Sequence, residues 1–254
     1  MGQHWQKLQE SSKKMIFEKY YSEITNILEK IKISQKEKIE QASKKVAKVI
    51  ENDGIIYIFG CGHSHLIGLD CFYRAGGLVN VSAMLDTDLM LHNGAAKSSK
   101  MEKMSGIAES IFERYCITQN DILIIVSTSG KNAVPCEMAS VATKNGIPNI
   151  SVVSSAYFDD ETDNKKLYEC SDMYIDNCVP HGDAVMDITG TDVKMGSVST
   201  VASSFILQSL LLEAAENAAK NGAELPIYKS GNIEGGAEFN KKLIKEYLPR
   251  IKHL

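Results

Sequence analysis

Between residues 4 and 52 apolar positions recur at helical steps. Ile16, Tyr20, Ile24, Ile27, Leu28 and Ile31 fall three or four apart, with Lys and Glu between them. Ser34 followed by Glu37 has the spacing of a capping box, so the pattern predicts a second helix that starts there and ends at Asn52-Asp53-Gly54. The period then changes. Short runs rich in β-branched residues occupy 55–59 (IIYIF), 79–85 (VNVSAML), 122–127 (ILIIVS), 149–154 (NISVVS) and 173–177 (MYIDN). Helical patterns lie between them near 65–75, 102–115 and 131–145. Continuous apolar strands alternating with helices predict an α/β fold with a parallel sheet covered on both faces. A long, nearly all-apolar helix is expected around 197–221 and a shorter amphipathic one around 236–248. The polar stretch 155–169 reads as a mobile loop. Residues 183–196, with Thr189-Gly190 between short alternating runs, read as a hairpin or flap at the sheet edge.

Composition narrows the classes of function. A net charge of -4 leaves no basic excess for nucleic acid or an anionic membrane surface. The six cysteines contain no CxxC pair and read as reduced thiols, so a soluble, cytoplasmic protein is expected. The N-terminal MGQHWQKLQESSKK has no apolar core of a signal peptide, and FILQSLLLEAA is too short and interrupted to span a bilayer.

In open α/β sheets ligands bind at the carboxyl ends of the strands, which directs attention to the loops there. The first strand is followed by Gly60-Cys61-Gly62-His63-Ser64-His65, and the third by Ser127-Thr128-Ser129-Gly130-Lys131-Asn132. Both are rich in hydroxyls and glycine, and both run directly into helices. Neither is a P-loop, and the dinucleotide fingerprint is incomplete because position 65 is His. Each hydroxyl alone reads equally well as a helix cap. Together the two loops can wrap a phosphate monoester with Ser64, Ser127, Thr128, Ser129 and the backbone N–H groups around Gly62 and Gly130. Asn132, Ser199 and Thr200 are candidates for sugar hydroxyls or phosphate oxygens, and the His63 and His65 rings for substrate contacts.

GCGHSH, STSGKN and GSVSTVASSFILQSLLLEA together resemble the SIS (sugar isomerase) domain family, over roughly residues 35–221. FYRAGGL, LMLHNGA and NAVPCEMA are similar to a group of stand-alone bacterial members. The resemblance implies a three-layer αβα fold with a five-stranded, flavodoxin-like parallel sheet. It divides the chain into an N-terminal helix (1–34), the SIS domain (35–221) and a C-terminal helical extension (222–254) packing on it. It further implies a phosphorylated sugar or amino sugar as ligand and a homo-oligomer, dimer or tetramer, with sites near subunit interfaces. No cofactor is implied.

Aldose–ketose isomerisation needs a base for a carbon-bound proton and a donor for the enediolate oxygen. His92, in the loop after the second strand, is the first candidate, followed by Glu137 in the helix after STSGKN. Asp70 follows the first loop, where related isomerases often carry a Glu; here the acid is shorter. His181 lies in the loop after the fifth strand. Cys61, His63 and His65 could ligate a metal, but three side chains of one tight loop seldom converge, and no metal is expected. A non-catalytic sensor with the same phosphate loops is the alternative to an enzyme.

Overall fold

The computed structural model describes residues 15–162 and 165–254; the helical pattern at 4–14 lies outside these residues. Five strands form one parallel sheet: β1 Ile56–Gly60, β2 Val81–Met84, β3 Ile122–Val126, β4 Asn149–Val153 and β5 Met173–Asp176. Their order is β2-β1-β3-β4-β5, the flavodoxin-like arrangement, which changes direction between β1 and β3. The α-helices are α1 Ile16–Ser34, α2 Lys36–Glu51, α3 His65–Cys71, α4 Ala95–Met101, α5 Ala108–Phe112, α6 Ala133–Lys144, α7 Leu167–Cys170, α8 Ser199–Lys220 and α9 Gly236–Tyr247.

Alternate strand residues serve opposite layers. Ile56, Ile58, Ile122, Ile124 and Ile150 pack with α1, α2, α3 and α8, while Tyr57, Phe59, Leu123 and Ile125 pack with α5, α6 and the end of α9. Burial on both faces explains why the strands read as unbroken apolar runs. The nearly all-apolar α8 packs against α1, α2 and α3 and contributes Ile206, Leu207, Leu210 and Ala214 to the core. No helix among the described residues is long and apolar enough to cross a membrane.

Several boundaries differ from expectation. Ser34 does not cap α2. It is the last residue of α1, and its hydroxyl meets the Cys178 thiol at 3.6 Å. Gln35 separates the two helices because it is buried and its Oε1 accepts a bond from the N–H of Asp176 in β5 at 3.0 Å. A tertiary bond to the sheet therefore sets this break, not a local cap. The stretch 155–169 is not all loop: it holds a 3₁₀ turn at Ser155–Tyr157 and the short α7, where Leu167 is fully buried and its N–H bonds Gly130 O at 2.7 Å. The expected hairpin forms from β6 Ala184–Met186 and β7 Met195–Ser197, antiparallel and outside the main sheet. It is tied to α1 by the Tyr20 hydroxyl, which donates to Ser197 O at 2.5 Å. The C-terminal half of the α1 stripe, Ile27 and Ile31, is covered by the chain itself, whereas Ile16, Phe17 and Tyr21 are exposed.

The amino ends of β1 and β3 are held together by Asp121, which is buried. Its Oδ1 accepts from Ile55 N at 2.6 Å, and its Oδ2 accepts from Thr118 N at 2.6 Å and Thr118 Oγ1 at 2.9 Å. Asp121→Ala leaves the buried N–H of Ile55 unpaired and should lower the unfolding free energy by about 1–3 kcal/mol. Urea unfolding measures this, and a loss below about 0.5 kcal/mol would show that Asp121 is not the clamp.

Candidate functional site

β1 ends at Gly60, and the chain turns back at once. The Ser64 backbone lies so close that a Cβ on residue 60 would be 2.6 Å from the Ser64 carbonyl carbon and oxygen. Gly62 takes a φ of 55°, in the left-handed region that glycine enters without strain, and opens the 3₁₀ turn Gly62–Ser64 that leads into α3. The loop after β3 turns through Gly130 (φ 60°), whose N–H bonds Ser127 Oγ at 3.3 Å. It is tied to the loops beyond it: Ser154 N bonds Thr128 O at 2.8 Å, and Asn177 Nδ2 donates to Thr128 Oγ1 at 3.2 Å. The third contributor is the start of α8. Asp183, at φ 65°, accepts from the N–H groups of Val198 at 3.0 Å and Ser199 at 2.8 Å, and from Ser199 Oγ at 2.8 Å.

These elements enclose a notch lined by His63, Ser64, Thr128, Ser199, Thr200 and Ser203, with a volume of about 10 Å³. Five of the residues expected to bind substrate therefore meet there. The hydroxyls of Ser64, Ser129 and Thr200 have no hydrogen-bond partner among the described residues, whereas those of Ser127, Thr128 and Ser199 are engaged. Ser127, Ser129 and Gly130 belong to the same loop as Thr128 but do not line the notch, and Asn132 stands at the start of α6.

The histidines of the first loop diverge. His63 is exposed, whereas His65 is buried with its Nδ1 against Gly62 O and its ring 6.2 Å from that of His92. Cys61 is also buried, and desolvation pushes its thiol well above the ordinary value, so it stays protonated. No group of three His, Cys, Asp or Glu side chains among the described residues is arranged to hold a metal.

The candidate bases lie apart from the notch. Asp70 faces α8, where its Oδ2 accepts from Ser204 Oγ and Gln208 Nε2, each at 2.9 Å, while Oδ1 pairs with Arg74. Burial raises its pKa, but the bonds from Gln208 and Ser204 and the Arg74 charge outweigh it and hold the carboxyl below the usual range. Glu137 is bound to the N–H of Gly106 at 2.8 Å. His92 is exposed, in the turn Leu91–Asn93. His181 stacks on Tyr157 at 4.4 Å, and its Nε2 lies 3.3 Å from Asp160 Oδ2, which also pairs with Lys131. Two acids near the loops carry no mark in the sequence: Asp183, and Glu102 at the end of α4.

The SIS-domain family model matches residues 19–154 of this chain. The chain is a member of the SIS family. It is 41% identical over 242 residues to a UPF0309 protein of Caldanaerobacter subterraneus, covering 92% of this chain and 98% of that one. It is 39% identical over 240 residues to a UPF0309 protein of Geobacillus thermodenitrificans, covering 93% and 96%. In fold it is similar to a phosphoheptose isomerase from Francisella tularensis, with a TM-score of 0.54 at 15% identity over 79% of this chain and 96% of that one. A phosphoheptose isomerase from Neisseria gonorrhoeae gives 0.52 at 17% identity over 84% and 99%. The matched span holds the loops after β1 and β3, and the helix start at Ser199 lies beyond it.

Burial sets the pH response of the SIS loop. Desolvation lowers the His65 pKa from 6.5, only partly offset by the Gly62 carbonyl. The unfolded chain therefore binds more protons than the fold, so His65 contributes stability that is fully present above pH 6.5 and is lost as pH falls toward the lowered folded value. In His65→Asn this share of the acid slope should vanish, as read from urea unfolding at pH 7.5 and 5.5. An unchanged slope would show that the ring titrates freely.

Proposed function

We propose that the protein binds a phosphorylated sugar or amino sugar and acts on it as an aldose–ketose isomerase or a related lyase. The phosphate is held between the loops after β1 and β3 and the start of α8. The observation that carries this reading is the pair of unpartnered hydroxyls that line the notch, Ser64 and Thr200, with a third, Ser129, next to Thr128 in the loop after β3. Phosphate oxygens accept several bonds at once, so the free hydroxyls and the backbone donors of the two glycine-containing loops can hold them without a dedicated cation. Membership in the SIS family and a fold shared with phosphoheptose isomerases support the same class of ligand.

The notch, at about 10 Å³, has room for one water-sized group, such as a single oxygen of a phosphate seated at its rim, and not for a sugar ring. The sugar then extends outward past His63. The starts of α3 and α8 flank this opening, and both helices expose apolar side chains: Leu66 and Leu69 on α3, with Tyr73 just beyond its end, and Val201 and Leu212 on α8. The bonds from Ser204 and Gln208 to Asp70 keep the two helices side by side. Exposed apolar side chains on both helices beside a shallow site support a homo-oligomer, with a dimer as its minimal unit.

Ser64→Ala combined with Ser129→Ala should abolish binding of any sugar phosphate in calorimetry while leaving the thermal transition in place. Undiminished affinity would reduce the loops to helix caps. A sugar phosphate that binds tightly to the wild-type protein but is never turned over would replace the enzyme with a sensor. Light scattering at micromolar concentration should give at least a dimeric mass; a monomeric mass contradicts the assembly.

A further inference from the structure

Glu102 occupies a distinctive place between the two phosphate loops. Helix α4 packs on the Gly62–Ser64 turn and ends at Glu102. The Glu102 carbonyl accepts from Val134 N, in the first turn of α6, at 3.1 Å. The residue therefore bridges the loop after β1 to the helix that follows the loop after β3, at the point where the sheet order changes direction. Its side chain is half-buried, lies against the Asn132 amide and is close enough to Cys61 to act on that thiol electrostatically. It forms no ion pair among the described residues, unlike Asp70 and Asp160. Glu137, on α6, has a carboxylate oxygen committed to Gly106 N.

Resting on the reading of the site as a sugar-phosphate isomerase, we infer that Glu102 is the base that moves the carbon-bound proton. The Glu102 carboxylate takes the proton from C2 of the aldose. The C–H electron pair becomes the C1–C2 double bond, and the carbonyl π pair moves onto O1. The hydroxyl proton of O2 passes to O1, and Glu102 returns its proton to C1 as the O2 pair closes the new carbonyl. Atoms and charge balance with no co-reactant, and Glu102 ends as it began.

The environment of Glu102 suits this task. Burial raises its pKa, against smaller opposing effects of Asn132 and Lys103. Its position at the carboxyl end of α4 also disfavours the charged form. A carboxylate made more basic in this way is a stronger proton acceptor at neutral pH than an exposed one. Asn132 beside it is placed to orient the carboxylate and to donate to the sugar oxygen next to the reacting carbon.

The experiment is exchange of the C2 proton with solvent deuterium, followed by NMR over a panel of hexose, pentose, amino-sugar and acetylated amino-sugar phosphates, with affinity measured in parallel. Wild-type protein should exchange the proton of one of these ligands. Glu102→Gln should slow exchange by about 10²–10⁴ with affinity little changed. The wild-type rate should rise with pH through the raised pKa of Glu102, because the base must be ionised to act, and Glu102→Gln should lose that rise. Should the Gln variant fail to fold, Glu102→Asp decides: it keeps the charge but withdraws the carboxylate by one methylene, and should lose about tenfold or more. Exchange retained in these variants but lost in His92→Gln transfers the role to His92 and overturns the inference. Binding without exchange in the wild-type protein overturns it too. A protein that binds none of the panel overturns the sugar-phosphate reading itself, an outcome distinct from the other two.

Discussion

A side chain on residue 60 would collide with the Ser64 backbone, and the arrangement of the binding edge follows from this. With glycine there, the chain doubles back over the end of β1 within four residues and starts α3 with Ser64 at the mouth of the notch. Gly68, one turn into α3, continues the close approach, since a Cβ there would lie 3.3 Å from Ile58 O. The helix therefore leans on the strand it has just left. The partner loop after β3 is fixed from the other side, by β4 through Ser154 and by the loop after β5 through Asn177. Two loops braced by different neighbours meet at the reversal of strand order, where a sheet opens a crevice without losing a hydrogen bond.

The strands were legible because burial on both faces leaves a simple trace. ILIIV at Ile122–Val126 is buried throughout, and a run of this kind has few other homes. The long α8 was legible for a similar reason, since one face of it packs against α1, α2, α3 and the sheet. Ser34 misled because capping patterns are local, whereas the break between α1 and α2 is made by Gln35 reaching β5. The turn at Ser155–Tyr157 and α7 were hidden by polar composition: Lys166 is buried although it is a lysine, its ammonium bound to Phe158 O. The deciding partner of Gln35 lies 141 residues along the chain, and that of Lys166 across a turn of eight.

The site divides in the same way. Its hydroxyl loops follow directly after strands, so strand prediction located Ser64 and Thr128, and the helix start located Ser199 and Thr200. Acids are harder to read. Asp70, Glu137 and Glu102 have similar surroundings in the sequence, each on or beside a helix near a loop. They diverge through contacts made in three dimensions: Asp70 is committed to Ser204, Gln208 and Arg74, Glu137 to Gly106 N, and Glu102 is half-buried beside Asn132 without an ion pair among the described residues. No spacing rule encodes that difference.

Asp183 has a consequence of its own. Its carboxylate already sits on the first amides of α8, the longest helix among the described residues, and it holds the Ser199 hydroxyl as well. The positive end of that helix is thus occupied by an internal anion on a loop that leads into the hairpin of β6 and β7. Any external anion drawn to the same amides competes with a tethered rival whose effective concentration is fixed by the chain. Displacing it would free residues 183–198 from their anchor on α8. The hairpin would then keep its tie to α1, the bond from the Tyr20 hydroxyl to Ser197 O.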